Sequence, residues 1–126
     1  MKKRILLVED DDSISRLLKT LLELEGFEVA ASGGDVKNVP EMLVQFRPDF
    51  LILDYHLKKS TGIDVLRLFS SNSTYHRPFI LVTSGEDQRE RCQQEGADGF
   101  LLKPYMPGDM IDWLREKELV LDQRKD

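Results

Sequence analysis

Residues 50–53, Phe-Leu-Ile-Leu, run without a polar break into Asp54. A continuous apolar run this short reads as a strand covered on both faces, as in a parallel sheet, rather than as one with a wet side. An acid closing such a strand stands at the sheet edge, where open α/β folds bind ligands. Asp is also a common turn residue, so Asp54 taken alone reads equally well as a cap for the following loop. The rest of the chain decides between the two.

A second strand-then-acid lies upstream, where Ile5–Val8 ends in Glu9, Asp10, Asp11 and Asp12. From Ser13 to Glu25, Ile14, Leu17, Leu18, Leu21 and Leu22 fall on one face at helical spacing, with Asp11 or Asp12 as the N-cap. Gly26 sits where a helix ends, Phe27–Ala31 reads as a strand, and Ser-Gly-Gly turns the chain. Between Asp35 and Arg47 the apolar positions are helical but Pro40 interrupts them, which predicts an irregular entry and a regular helix from about Pro40. A helix over Gly62–Ser70 carries Ile63, Leu66 and Phe69 inward, with Thr61 and Asp64 at capping-box spacing. Pro78–Val82 is the fourth strand, ending in Thr83-Ser84, after a polar loop over 71–77. Gly85–Glu95 has Cys92 as its one clearly apolar residue, so a helix there has little to dock with and is marginal. Phe100–Leu102 is the fifth strand, ending in Lys103-Pro104, and a last helix begins near Pro107.

Five alternations of strand and helix predict a doubly wound α/β domain with a parallel sheet. In the strand order 2-1-3-4-5 the first and third strands meet at the switch point. Glu9, Asp10, Asp54, Thr83 and Lys103 then project from strand ends onto one rim. Three crowded carboxylates need a compensating cation, and a hard divalent ion such as Mg2+ with oxygen ligands supplies one. Lys103 adds a positive point charge and Thr83 a hydroxyl donor. With a phosphoryl group on Asp54 every neighbour gains a role, which is the positioning logic of phosphoryl transfer with Asp54 as nucleophile.

At 126 residues the chain fits one domain, expected over 1–121 with a charged, fraying tail over 122–126. The net charge of −5 argues against non-specific nucleic-acid binding. A single cysteine excludes an internal disulfide, and no apolar run approaches a membrane span, so a cytoplasmic location is expected.

The motifs ILLVEDD, PDFLILD with a glycine eight residues later, FILVTS and GADGFLLKP occur in this order along nearly the whole chain. In that combination the sequence resembles the receiver domain of two-component response regulators. The resemblance implies a flavodoxin-like five-stranded parallel sheet in 2-1-3-4-5 order. It implies that Asp54 takes phosphate from a phosphohistidine on a sensor histidine kinase or histidine phosphotransfer protein, and that this controls an output partner. By the same resemblance Asp10 binds Mg2+ directly, Glu9 through water and His56 through its backbone carbonyl. Thr83 is the switch hydroxyl, Lys103 pairs with the phosphate, Phe100 is the switch aromatic, Ser84 leaves room, and Lys103-Pro104 is cis. Membrane or direct nucleic-acid contact is not expected, and the chain is a monomer or a weak phosphorylation-dependent dimer. The competing reading is a receiver-like interaction module that acts without phosphate.

Departures from the family pattern stand out. Lys58-Lys59 occupies a position where the family often has Pro-Gly. His56 replaces a commonly apolar residue, and it reads either as a solvated loop residue offering its carbonyl or as a side chain at the mouth that tunes hydrolysis. Phe100 lacks the hydroxyl of a switch tyrosine. The stretch Thr83–Lys103 is about two residues short and the second helix about two long, which predicts a distorted or mobile fourth helix. Cys92 reads as a core residue, Trp113 as packing, His76 as solvated, and Arg115–Lys117 as a solvated helix face. A haloacid-dehalogenase-type hydrolase would want a second acid where His56 stands. A nucleotide binder would want a phosphate loop after the first strand, and acids stand there instead.

Overall fold

The computed structural model describes residues 1–71 and 74–124. Five parallel strands, β1 (Arg4–Val8), β2 (Glu28–Ala31), β3 (Phe50–Asp54), β4 (Phe79–Ser84) and β5 (Gly99–Leu102), form one sheet in the order β2-β1-β3-β4-β5. They alternate with α1 (Asp12–Leu24), α2 (Val39–Phe46), α3 (Gly62–Ser71), α4 (Arg89–Gln94) and α5 (Pro107–Gln123). Every residue of β3 is buried, as its unbroken apolar run requires of a central strand.

Period-two alternation along the strands builds two cores. Leu6, Val8, Leu51, Leu53, Ile80 and Val82 meet α2, α3 and Cys92 of α4 on one face. Ile5, Leu7, Phe50, Ile52 and Leu81 meet α1 and α5 on the other. Phe50 centres the second core, with Phe27, Phe79 and Trp113 at ring-centroid distances of 6.1, 6.3 and 6.3 Å. Trp113 therefore packs, and Cys92 is fully buried as a small core residue.

Local signals place most helix ends. Asp11 caps α1, its Oδ1 accepting from the backbone N–H groups of Ser13 and Ile14, and Gly26 follows that helix with φ +97°. A 3-10 turn at Val36–Asn38 forms the irregular entry, and Pro40 sits in the first turn of α2, where its missing N–H costs nothing. Half of the expected capping box forms at α3, where Asp64 Oδ2 accepts from the Thr61 N–H at 3.4 Å.

Several expectations need correction. In α1, Leu18 and Leu22 are buried with Ser15, whereas Ile14 and Leu17 are exposed, Leu17 by 59 %: one residue step of about 100° from Leu18 carries it off the inward stripe. Val65 joins Ile63 and Leu66 in the core of α3. β4 ends in Thr83 and Ser84 as expected, both paired with β5. α4 is a helix of six residues, less than two turns, in keeping with its polar sequence. The tail expected from residue 122 begins inside α5, which runs to Gln123 and whose Asp122 pairs with Lys3 at 2.9 Å. Lys125 and Asp126, like residues 72 and 73 of the expected loop, lie outside the described residues.

Gly99 in β5 is forced by the aromatic core. A Cβ there would meet the Trp113 indole, 2.8 Å from Cε2, and Leu81 Cδ1 at 3.0 Å. Gly99→Ala is expected to cost about 1–3 kcal/mol through overpacking. Gly108→Ala, with open space around it at the start of α5, should be neutral or stabilising. Urea denaturation of the two variants measures the contrast.

Candidate functional site at the carboxyl edge of the sheet

Strand register alone brings the rim together. Val8 lies opposite Leu53, so the next residue, Glu9, falls level with Asp54; Asp54 lies opposite Thr83, and Ser84 opposite Leu102, which Lys103 follows. The result is a row of acid, acid, hydroxyl and amine across four adjacent strand ends. Glu9 and Asp54 are buried, with 5 and 6 % of their surface exposed, and Thr83 and Ser84 are buried beside them. Asp10 is half-buried at the outer side.

Carboxylate oxygens of Glu9, Asp10 and Asp54 lie within 4.8 Å of one another. The Lys103 ammonium reaches into this group, 3.3 Å from Asp54 Oδ1 and 3.7 Å from Glu9 Oε2. One amine cannot neutralise three carboxylates. Burial, and then the field of Asp54, push the Glu9 carboxyl up to about 7, against the opposing pull of Lys103. The Tyr105 phenol is pushed up to about 12 by burial and by the negative field of Glu9 and Asp54. Oxygen donors, excess negative charge and partial burial suit a hard divalent cation better than a soft transition metal.

The backbone holds the strand ends in place. The Tyr55 N–H donates to the Thr83 carbonyl at 2.8 Å and the Lys103 N–H to the Ser84 carbonyl at 2.7 Å, extending the ladder to the rim. The Lys103-Pro104 peptide bond is cis. The Gly62 N–H donates to the Tyr55 carbonyl at 2.7 Å, closing the β3–α3 loop at its base, directly after Asp54. A Cβ at Gly62 would stand 3.2 Å from the Asp54 carbonyl oxygen, so the loop packs close there because the residue is glycine.

The predicted residues do not all share one environment. Glu9, Asp10, Asp54 and Lys103 form the charged cluster, and Thr83 and Ser84 are buried at the adjacent end of β4. Phe100 lies one register step behind, opposite Val82, half-buried and covered by the Arg89 guanidinium at 5.3 Å from the ring centroid. The His56 side chain is exposed, its ring edge-on to Tyr55 and its Nε2 3.5 Å from Glu86 Oε1. Glu86 and Tyr105 escaped the sequence reading. Tyr105 carried a usable signal, because it follows Lys103-Pro104 and an aromatic there shares the rim with the lysine.

Comparison with known proteins decides the family. A model of the response regulator receiver domain matches residues 5–115. The chain belongs to that family.

The receiver is 32 % identical over 119 residues to the DNA-binding response regulator MtrA of Mycolicibacterium smegmatis, covering 93 % of this chain and 51 % of that protein. It is 31 % identical over 111 residues to the transcriptional regulatory protein PdtaR of Mycobacterium tuberculosis, covering 86 % of this chain and 53 % of that one. The receiver thus spans about half the length of these relatives. Among solved structures it is similar to a response regulator receiver domain from Bermanella marisrubri, with TM-score 0.83, 30 % identity and coverage of 92 and 98 %. A CheY-like receiver domain protein from Methanospirillum hungatei shares the fold, with TM-score 0.84 and coverage of 98 and 99 %. No helix among the described residues is long and apolar enough to cross a membrane.

The raised Glu9 carboxyl gives the metal-free protein a defined pH response. Between about 4.5 and about 7 the folded state keeps a proton that the unfolded chain has released. This contribution to stability is complete below the lower value and is lost as pH rises through the upper one. Melting temperature without divalent ions should therefore fall across that window, and Glu9→Gln should flatten the profile.

Proposed function

We propose that the receiver is a phosphoacceptor switch that takes a phosphoryl group from a phosphohistidine onto Asp54. The observation that carries this reading is the buried Glu9/Asp10/Asp54 cluster with the Lys103 amine 3.3 Å from Asp54. In the reaction an Asp54 carboxylate oxygen attacks phosphorus. The new bond is O–P, the broken one is P–N, and the donor imidazole leaves with the electron pair. Asp10 and Asp54, with the His56 backbone carbonyl, would hold Mg2+ directly, and Glu9 would do so through water. Bound there, the ion offsets the charge of the phosphoryl oxygens.

The chain's own groups do the remaining work. Lys103, already paired with Asp54, moves its charge onto a phosphoryl oxygen. Thr83, level with Asp54 on the next strand, donates its hydroxyl to another. Ser84 is small enough to leave that approach open. Partial burial of the rim lowers the local dielectric and strengthens each of these interactions.

The acyl phosphate then shifts an equilibrium between two arrangements of the Thr83/Phe100 face, one of which the output partner prefers. Phe100 has no hydroxyl, so its movement is governed by packing and by the Arg89 guanidinium above it. A full shift needs on the order of 5 kcal/mol of differential affinity. The six-residue α4 beside this face has few buried contacts to oppose the change. A sensor kinase or histidine phosphotransfer protein is the implied donor.

Intact mass after incubation with acetyl phosphate tests the reading. A single phosphoryl adduct should form with Mg2+, fail to form when the ion is chelated, and be absent in Asp54→Asn. Absence of the adduct, together with absence of Mg2+ or beryllofluoride binding, leaves the phosphate-independent interaction module as the function.

A further inference from the structure

The Ser32-Gly33-Gly34 turn joins β2 to the 3-10 entry of α2, and it lies against the metal-binding rim. Gly34 is buried with φ +81°. A Cβ on Gly34 would lie 2.7 Å from both Cα and Cβ of Asp10 and 3.0 Å from its backbone nitrogen. These atoms are main chain or attached directly to it, so no flexible side-chain end can swing aside to make room.

Neither partner in this contact is free to retreat. The Ser32 N–H donates to the Leu7 carbonyl at 2.9 Å, tying the turn to β1. The Gly34 N–H donates to Ser32 Oγ at 3.3 Å, and Asp35 caps the next turn through the Lys37 N–H at 3.0 Å. On the other side, Asp10 sits between Glu9 at the end of β1 and Asp11, the N-cap of α1. The Asp11 N–H also reaches Glu9 Oε1 at 3.4 Å, so a shift of this backbone disturbs two of the three acids.

We infer that Gly34 is a positioning residue for Asp10: by bringing a bare α-carbon against the Asp10 main chain, it sets where that carboxylate stands in the cation site. The inference rests on the metal reading of the rim. Gly34 touches no reacting atom, and its role is exercised through Asp10. Groups that orient a metal's ligands commonly change affinity 10- to 100-fold when altered.

Gly33 supplies a matched control. Its φ is +74°, so alanine there meets a similar backbone penalty, yet a Cβ would have nothing within 4 Å. Isothermal titration with MgCl2 at constant ionic strength, on wild type, Gly33→Ala and Gly34→Ala, separates the two effects. Both variants should melt earlier, but only Gly34→Ala should lose affinity, by about tenfold or more, with Gly33→Ala close to wild type. Should Gly34→Ala not fold, Gly34→Asn replaces it, since asparagine tolerates the left-handed region while keeping the Cβ. Equal affinities for wild type and the Gly34 variant, or equal losses in both variants, overturn the inference and leave the metal reading standing. A wild type that takes up no Mg2+ removes both.

Discussion

Mutual repulsion of carboxylates in a partly desolvated space is the constraint on which the rest of this structure depends. Glu9, Asp10 and Asp54 come within 4.8 Å of one another against a single amine. The domain tolerates this only because the strands beneath are fixed by a deeply buried sheet whose stability comes from elsewhere. Ile5, Leu6, Leu7, Leu51, Leu53 and Leu81 are wholly buried, and Phe50 anchors an aromatic cluster on the α1/α5 face. That burial offsets the unfavourable charge at the strand ends, and a divalent cation bound among the three acids would relieve it. Poor charge balance is what makes the rim a candidate cation site.

Parallel pairing turns this local problem into a directional one. All five strand ends open on the same edge, so the hydroxyl, amine and acids meet without long excursions of the chain. The opposite side of β4 and β5 leads to Phe100 and the Arg89 guanidinium above it. Thr83 and Phe100 sit on adjacent strands one register step apart, which makes β4–β5 the shortest route from the rim to the surface of α4. That helix is short and polar, with Cys92 as its buried residue.

Much of this was legible in the sequence because burial on both faces leaves an unmistakable record. Phe50–Leu53 and Ile5–Val8 have no polar break, and the acids that close them mark the edge. Pro40 likewise dictated where the second helix becomes regular, and Asp11 where the first begins. Face assignments inside helices were less legible: Leu17 and Leu18 are both apolar, and only packing against the sheet decides which turns inward. Val65 was missed for the same reason. Gly34 and Glu86 were beyond reach, since one matters through contact with Asp10, some two dozen residues upstream in sequence, and the other through an approach to His56 that no spacing encodes. The end of α5 lies further along than the polar residues Asp122 and Gln123 suggest, because Asp122 finds Lys3 across the molecule.

If the acidic cluster is a cation site directly beside a phosphoacceptor, a crystal grown with Mn2+ and beryllofluoride shows it most directly, because manganese is located by its anomalous scattering. An anomalous peak is expected between the Asp10 and Asp54 carboxylates, with beryllium on an Asp54 oxygen and the Lys103 amine and Thr83 hydroxyl each on a fluoride. Manganese bound elsewhere, or beryllofluoride absent from Asp54 while the cluster keeps its geometry, would contradict it.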